Sequence, residues 1–147
     1  VTLPHGGRPT RFAGYDARGP SNGPVTGPWN DDGTIAPTAA ASSIAFAPEV
    51  VLPALQALRD RYGEHLLGRY GFFDAFNPSF QYDVKLVGGR VVPGVGWFDT
   101  DVIGIDQGPI LAMFANHRRE AVWAPMRRAD WLRRALLAGG FRGGWLG

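Results

Sequence analysis

The chain has 147 residues, 45% hydrophobic and 19% charged, which is enough apolar material for the core of one domain and too much for a wholly disordered chain. It has no apolar run near the ~20 residues that span a bilayer, no heptad array and no internal repeat, so membrane insertion by this segment is excluded. The 15 basic and 13 acidic residues leave a net charge of +2. The basic ones gather at Arg118, Arg119, Arg127, Arg128, Arg133, Arg134 and Arg142, which reads as a solvated helix face; a nucleic-acid partner would need a wider basic stripe and a reading motif.

From Val1 to about Pro37 the chain is dense in Gly and Pro (Gly19-Pro20, Gly23-Pro24, Gly27-Pro28), dipeptides that interrupt both helix and strand, so residues 1–36 read as an irregular loop region. Its aromatics Phe12, Tyr15 and Trp29 argue that part of this loop is packed or lines a site. Helical signals open at Pro37-Thr38, run to about Phe46, and resume at Pro48-Glu49, where Pro at the first helical position and an acid in the first turn suit a helix start. Val51, Leu55, Leu58 and Tyr62 then recur at helical spacing up to Gly63, and a short helix is expected over Glu64 to Arg69.

Between Tyr70 and Asp101 the chain is aromatic, glycine-rich and irregular, and the alternation from Asp83 to Val92 around Gly88-Gly89 predicts a small β-hairpin. A helix is expected from Gly108-Pro109 with Ile110, Met113, Phe114 and His117 on one apolar face. Another follows that packs Trp131, Leu132, Ala135 and Leu136 and stops at Gly139-Gly140. The fold class is therefore all-α over residues 37–147, as helical hairpins with long aromatic and Asp-rich loops.

Carboxylates crowd those loops: Asp31-Asp32-Gly33, Asp74 within Tyr70-Gly71-Phe72-Phe73-Asp74-Ala75-Phe76-Asn77, and Asp99, Asp101 and Asp106 around Trp97-Phe98. Aromatic faces stack on the apolar faces of sugar rings while carboxylates bond hydroxyls or move protons, so acids beside aromatics are what a glycosidase cleft requires. The same residues also suit plain structural work, since Asp-Asp-Gly is a turn sequence and Asp106 lies where a helix start would stabilise an acid. Asp99, Asp101 and Asp106 lack the ligand ladder of an EF-hand, and no cofactor or metal is expected. With no cysteine, no Gly-x-Ser-x-Gly elbow, no phosphate loop and no His pair at zinc-ligand spacing, other catalytic chemistries fare worse. The redox compartment and localisation stay open.

Three stretches occur in a fixed order: Asn30-Asp31-Asp32-Gly33-Thr34-Ile35-Ala36-Pro37-Thr38-Ala39-Ala40, Tyr70 to Asn77 as above, and Ile103-Gly104-Ile105-Asp106-Gln107-Gly108-Pro109-Ile110. Together with Asn116-x-Arg118 and Trp123 they closely resemble the bacterial glycoamylase-like domain, a family that includes endo-β-1,2-glucanases and a domain of cyclic β-1,2-glucan synthases. The resemblance implies an (α/α)6 toroid, of which residues 1–147 would form the C-terminal portion. The N-terminal part of the same toroid would be a partner, a glucan oligosaccharide or polysaccharide the ligand, and the parent protein periplasmic or tethered to a membrane.

Carried over by motif, the resemblance implies Asp106 as the catalytic carboxylate, acting as general base or facing the anomeric centre, with the general acid outside this chain. Trp29, Asp31, Asp32, Phe73, Asp74, Asn77, Trp97 and Gln107 are implied as substrate-binding, Trp29 and Trp97 as stacking platforms, with Tyr70, Arg118 and Trp123 supporting from behind. The chain departs from many relatives by placing Gln81 to Gly96 between the aromatic loop and Trp97. Glucan cleavage or transfer is the expected activity; the alternative is a module that binds carbohydrate without cleaving it or is purely structural. Apolar faces around Val51-Leu58 and Ile110-Phe114 are expected to lack part of their cover, which would leave the isolated chain marginally stable.

Overall fold

The computed structural model describes residues 2–5, 8–11, 33–84, 86 and 88–147. Among them helices carry most of the ordered structure. These are α1 (Pro37–Ser42), α2 (Pro48–Tyr62), α3 (Gly104–Arg119), α4 (Trp123–Arg127) and α5 (Asp130–Ala138). The strands are short: β1 (Thr2–His5), β2 (Arg8–Arg11), β3 (Leu67–Gly68), β4 (Gly71–Phe72), β5 (Phe76–Asn77), β6 (Arg90–Val92) and β7 (Gly96–Phe98). They form antiparallel pairs β1-β2 and β3-β4 and a three-stranded sheet in the order β5-β7-β6. No helix of the described residues is long and apolar enough to cross a membrane.

Proline at the first position starts both α1 and α2, as the sequence indicates. Gly63 ends α2, but the expected helix over Glu64 to Arg69 is replaced by a 3-10 turn, Gly63–His65, and the β3-β4 hairpin. The change buries Leu66, at 0% exposure, against Tyr62, which a continued helix would swing away. The expected irregular stretch before residue 37 contains the β1-β2 ladder, in which Thr2 pairs with Arg11 and His5 with Arg8.

The β-hairpin of this region is β6-β7, which pairs residues 90–92 with 96–98 instead of spanning the expected Asp83 to Val92, and it turns at Pro93-Gly94 rather than at Gly88-Gly89. Val95 N–H donates to Val92 O at 3.0 Å, and Gly94, at φ +74°, takes the left-handed corner that a type II turn needs after proline. Helix α3 begins four residues before the expected Gly108-Pro109. Proline is tolerated inside it because the donor it lacks falls opposite Ile105, an 80% exposed residue in the first turn. His117 is exposed rather than on an apolar face; with Arg118 and Arg119 it fills the last turn, where cations oppose the helix dipole. On α5, Trp131 is 61% exposed and Ala135 is also exposed, so the covered side is made by Leu132, Leu136 and Leu137.

The core is aromatic. Tyr62 at the end of α2 meets Phe76 of β5 at 4.9 Å and Phe98 of β7 at 5.7 Å between ring centroids, and the Phe76 and Phe98 rings stack at 5.9 Å. Leu66 completes this cluster, and Leu58, Phe72, Val92 and Val95 pack around it. Rings of this size bury ~150–250 Å² each, which is how so small a sheet is held onto one helix end. A second packing layer joins α1 to α2 and α3, with Ala41 and Ile44 buried in it. On the α2 face, Val51 is buried while Val50 and Leu52 are exposed, and on α3 Leu111 is 73% exposed.

Candidate functional site

Three segments far apart in sequence converge around β5, β7 and the start of α3. Ile35, just after Gly33-Thr34, pairs with Phe76 through two backbone bonds, Ile35 N–H to Phe76 O at 2.8 Å and Phe76 N–H to Ile35 O at 2.9 Å. Asn77 Nδ2 reaches Thr34 Oγ1 at 3.3 Å. Thr34 and Ile35 are thereby moored to the aromatic loop; Trp29, Asp31 and Asp32 lie outside the described residues.

The aromatic loop is also moored to α3. Asp74 N–H donates to Asp101 O at 3.1 Å and Asp99 N–H to Ala75 O at 2.9 Å, extending the β5-β7 pairing toward the helix. Gln107 Nε2 donates to Phe72 O at 2.9 Å. The approach is close enough to demand glycine at position 71: its φ is +116°, and a β-carbon there would stand 2.5 Å from Gln107 Oε1.

Asp106 is half-buried in the first turn of α3, its N–H bonded to Ile103 O. Backbone N–H groups of a first turn lack helical partners and point toward the N-terminus, a favourable setting for a carboxylate. The neighbouring acids do different work. Asp99 is 4% exposed and its Oδ1 accepts from the N–H groups of Thr100 at 2.6 Å and Asp101 at 3.1 Å, turning the chain from β7 toward α3. Asp101 is exposed, and Asp74 is 2% exposed.

Asn77 is 1% exposed, and its Oδ1 accepts from Ser79 N–H, Ser79 Oγ and Phe80 N–H at 2.7 to 3.1 Å. Asn77 thus holds the turn after β5 through its side chain and Asp74 joins the loop to Asp101 through its backbone N–H; both are buried, where the sequence expects contact with a sugar. Phe73 is half-buried and packs under Gly68. Trp97 is half-buried, with its indole N–H donated to Gly88 O at 3.0 Å, which fixes the ring on the segment that separates the aromatic loop from the Trp motif.

Of the residues expected to support the site from behind, Trp123 is half-buried near the end of α3: its N–H and that of Val122 donate to Oδ1 of buried Asn116, and its ring lies 5.4 Å from Phe46. Arg118 is exposed. Tyr70 is 68% exposed at the tip of the β3-β4 hairpin. Nothing in its local sequence separates it from the half-buried Phe72 and Phe73 beside it, because exposure there depends on the two-residue turn that the hairpin makes.

A family model described as "Putative glucoamylase" matches residues 2–130, and the chain belongs to this glycoamylase family. An exo-β-1,2-glucooligosaccharide sophorohydrolase of Parabacteroides distasonis is 32% identical over 96 residues, which make up 65% of this chain and 11% of that protein. Among solved structures, a "putative glucoamylase" of Bacteroides uniformis is 36% identical with a TM-score of 0.64, over 82% of this chain and 26% of that one. An endo-β-1,2-glucanase of Chitinophaga pinensis, solved with sophorotriose and glucose, is 29% identical with a TM-score of 0.65, over 82% of this chain and 25% of that one. The chain thus spans about a tenth of the curated relative's length and about a quarter of these solved structures.

Proposed function

We propose that this chain forms part of a glycoside hydrolase domain that cleaves or transfers β-1,2-linked glucan, and that it contributes one wall of the cleft. The observation that carries this reading is the convergence of all three motif segments: Gly33-Thr34-Ile35 on Phe76-Asn77, and Phe72 on Gln107 beside Asp106. The relatives named for β-1,2-glucan chemistry support this substrate class.

In this reading Asp106 is the reacting carboxylate, as general base or facing the anomeric centre, and the general acid comes from outside these residues. Phe73, Trp97 and Gln107, with Trp29, Asp31 and Asp32, contact the glucan, while Asp74 and Asn77 hold the loops from beneath. The helices would be the C-terminal part of an (α/α)6 toroid, with the rest of the ring supplied by the N-terminal part of a longer protein.

The test is release of reducing sugar from β-1,2-glucan and from starch by the full protein that carries this chain. Turnover of β-1,2-glucan alone is expected. Turnover of starch alone would overturn the linkage, and saturable binding of glucan without turnover would replace the enzyme by a carbohydrate-binding module.

A further inference from the structure

The β3-β4 hairpin connects Gly68 to Gly71 through Arg69 and Tyr70, and both tip residues are exposed. Tyr70 is 68% exposed, which makes it one of the largest apolar surfaces given to water among the described residues. Its position is nevertheless constrained. The residue after it, Gly71, sits against Gln107 Oε1, and the next, Phe72, accepts the hydrogen bond from Gln107 Nε2 at 2.9 Å. The tip is therefore fastened to the residue that directly follows Asp106 in the first turns of α3.

The Tyr70 ring also has an electrostatic partner. The Arg69 guanidinium carbon lies 5.2 Å from the ring centroid, a cation-π distance that restrains the ring and sets a rigid donor group beside it. An aromatic ring that is exposed, restrained and flanked by a guanidinium matches the chemistry of a pyranose, whose axial C–H groups pack on a π face while its equatorial hydroxyls accept hydrogen bonds. On the α3 side the rim is also apolar, since Ile105 is 80% exposed.

From this juxtaposition we infer that Tyr70 is a sugar-stacking platform at the edge of the Asp106 cleft, with Arg69 bonding hydroxyls of the same glucose unit. This rests on the glucan reading above and assigns to it a binding position that the motif comparison placed behind the site. Tyr70 touches a sugar outside the reacting bond, so it contributes binding that is equal in ground and transition states and lowers KM without changing kcat.

The experiment measures kcat and KM on β-1,2-linked gluco-oligosaccharides, and calorimetric affinity for the trisaccharide, with the full protein and its Tyr70→Ala and Tyr70→Phe variants. Tyr70→Ala is expected to raise KM and weaken affinity about tenfold, the scale of one aromatic contact, with kcat and thermal stability kept, and Tyr70→Phe to restore affinity. Unchanged KM and affinity in Tyr70→Ala overturn the inference while leaving the glucan reading intact. A parent protein that binds the trisaccharide without turnover overturns the enzyme reading alone, and the affinities then decide on Tyr70. A parent protein that neither binds nor cleaves overturns both.

Discussion

Gln107 and Phe72 lie 35 residues apart and are joined by one hydrogen bond, Nε2 to carbonyl oxygen at 2.9 Å, which fastens the aromatic loop to the helix carrying Asp106. Replacing Gln107 by Ala leaves a half-buried carbonyl without that donor. The expected cost is about 1–2 kcal/mol, read as a lowered Tm in thermal unfolding, together with reduced glucan turnover because the loop is no longer held at the helix start.

Gly71, next to Phe72 in β4, answers to the same contact. With φ at +116° and Gln107 Oε1 standing 2.5 Å from where a β-carbon would go, Gly71→Ala combines backbone strain with a clash. A loss of about 1–3 kcal/mol is expected. Gly108→Ala is the control: nothing lies within 4 Å of its would-be β-carbon inside α3, so stability is expected to hold or rise by up to about 1 kcal/mol.

Asn77 ties the turn after β5. Asn77→Ala removes the Oδ1 that accepts from the N–H groups of Ser79 and Phe80, at a side chain that is 1% exposed, and leaves Phe80 N–H its longer bond to the carbonyl oxygen of residue 77 at 3.3 Å. The expected loss is about 2 kcal/mol or more, and hydrogen exchange should show lost protection at the Phe80 amide ahead of the helices.

Phe98 is fully buried between Tyr62 and Phe76. Phe98→Ala is expected to cost about 3–5 kcal/mol, a large share of the stability of any single domain, and denaturant unfolding would show the midpoint shift.

The parts of this architecture written in local sequence were legible, and the parts set by long-range pairing were not. Proline at a first helical position announced α1 and α2, since that residue carries its own conformational constraint. Pro109 misled, because proline marks a helix start when its missing donor is exposed anywhere in the first turns, and Gly104 proved to be the true beginning. Gly88-Gly89 reads as a hairpin turn in local sequence, yet Pro93-Gly94 makes the stronger corner, with φ fixed at one residue and free at the next. For the site, the sequence order of the motifs was visible, but their contacts at Ile35-Phe76 and Phe72-Gln107 were not, nor was the burial of Asp74 and Asn77 beside the exposure of Tyr70. Those features depend on which strand lies opposite which, and neighbouring residues do not encode it.

The most direct test of this account is the rate of β-1,2-glucan cleavage by the full protein with Asp106→Asn, with folding monitored by circular dichroism. Asparagine preserves shape and helix position while removing the charge and the proton acceptor, so a loss of ~10²-fold or more in kcat on an intact fold is expected. Turnover equal to wild type would contradict the assignment of Asp106 as the reacting carboxylate and return it to a purely structural place in the first turn of α3.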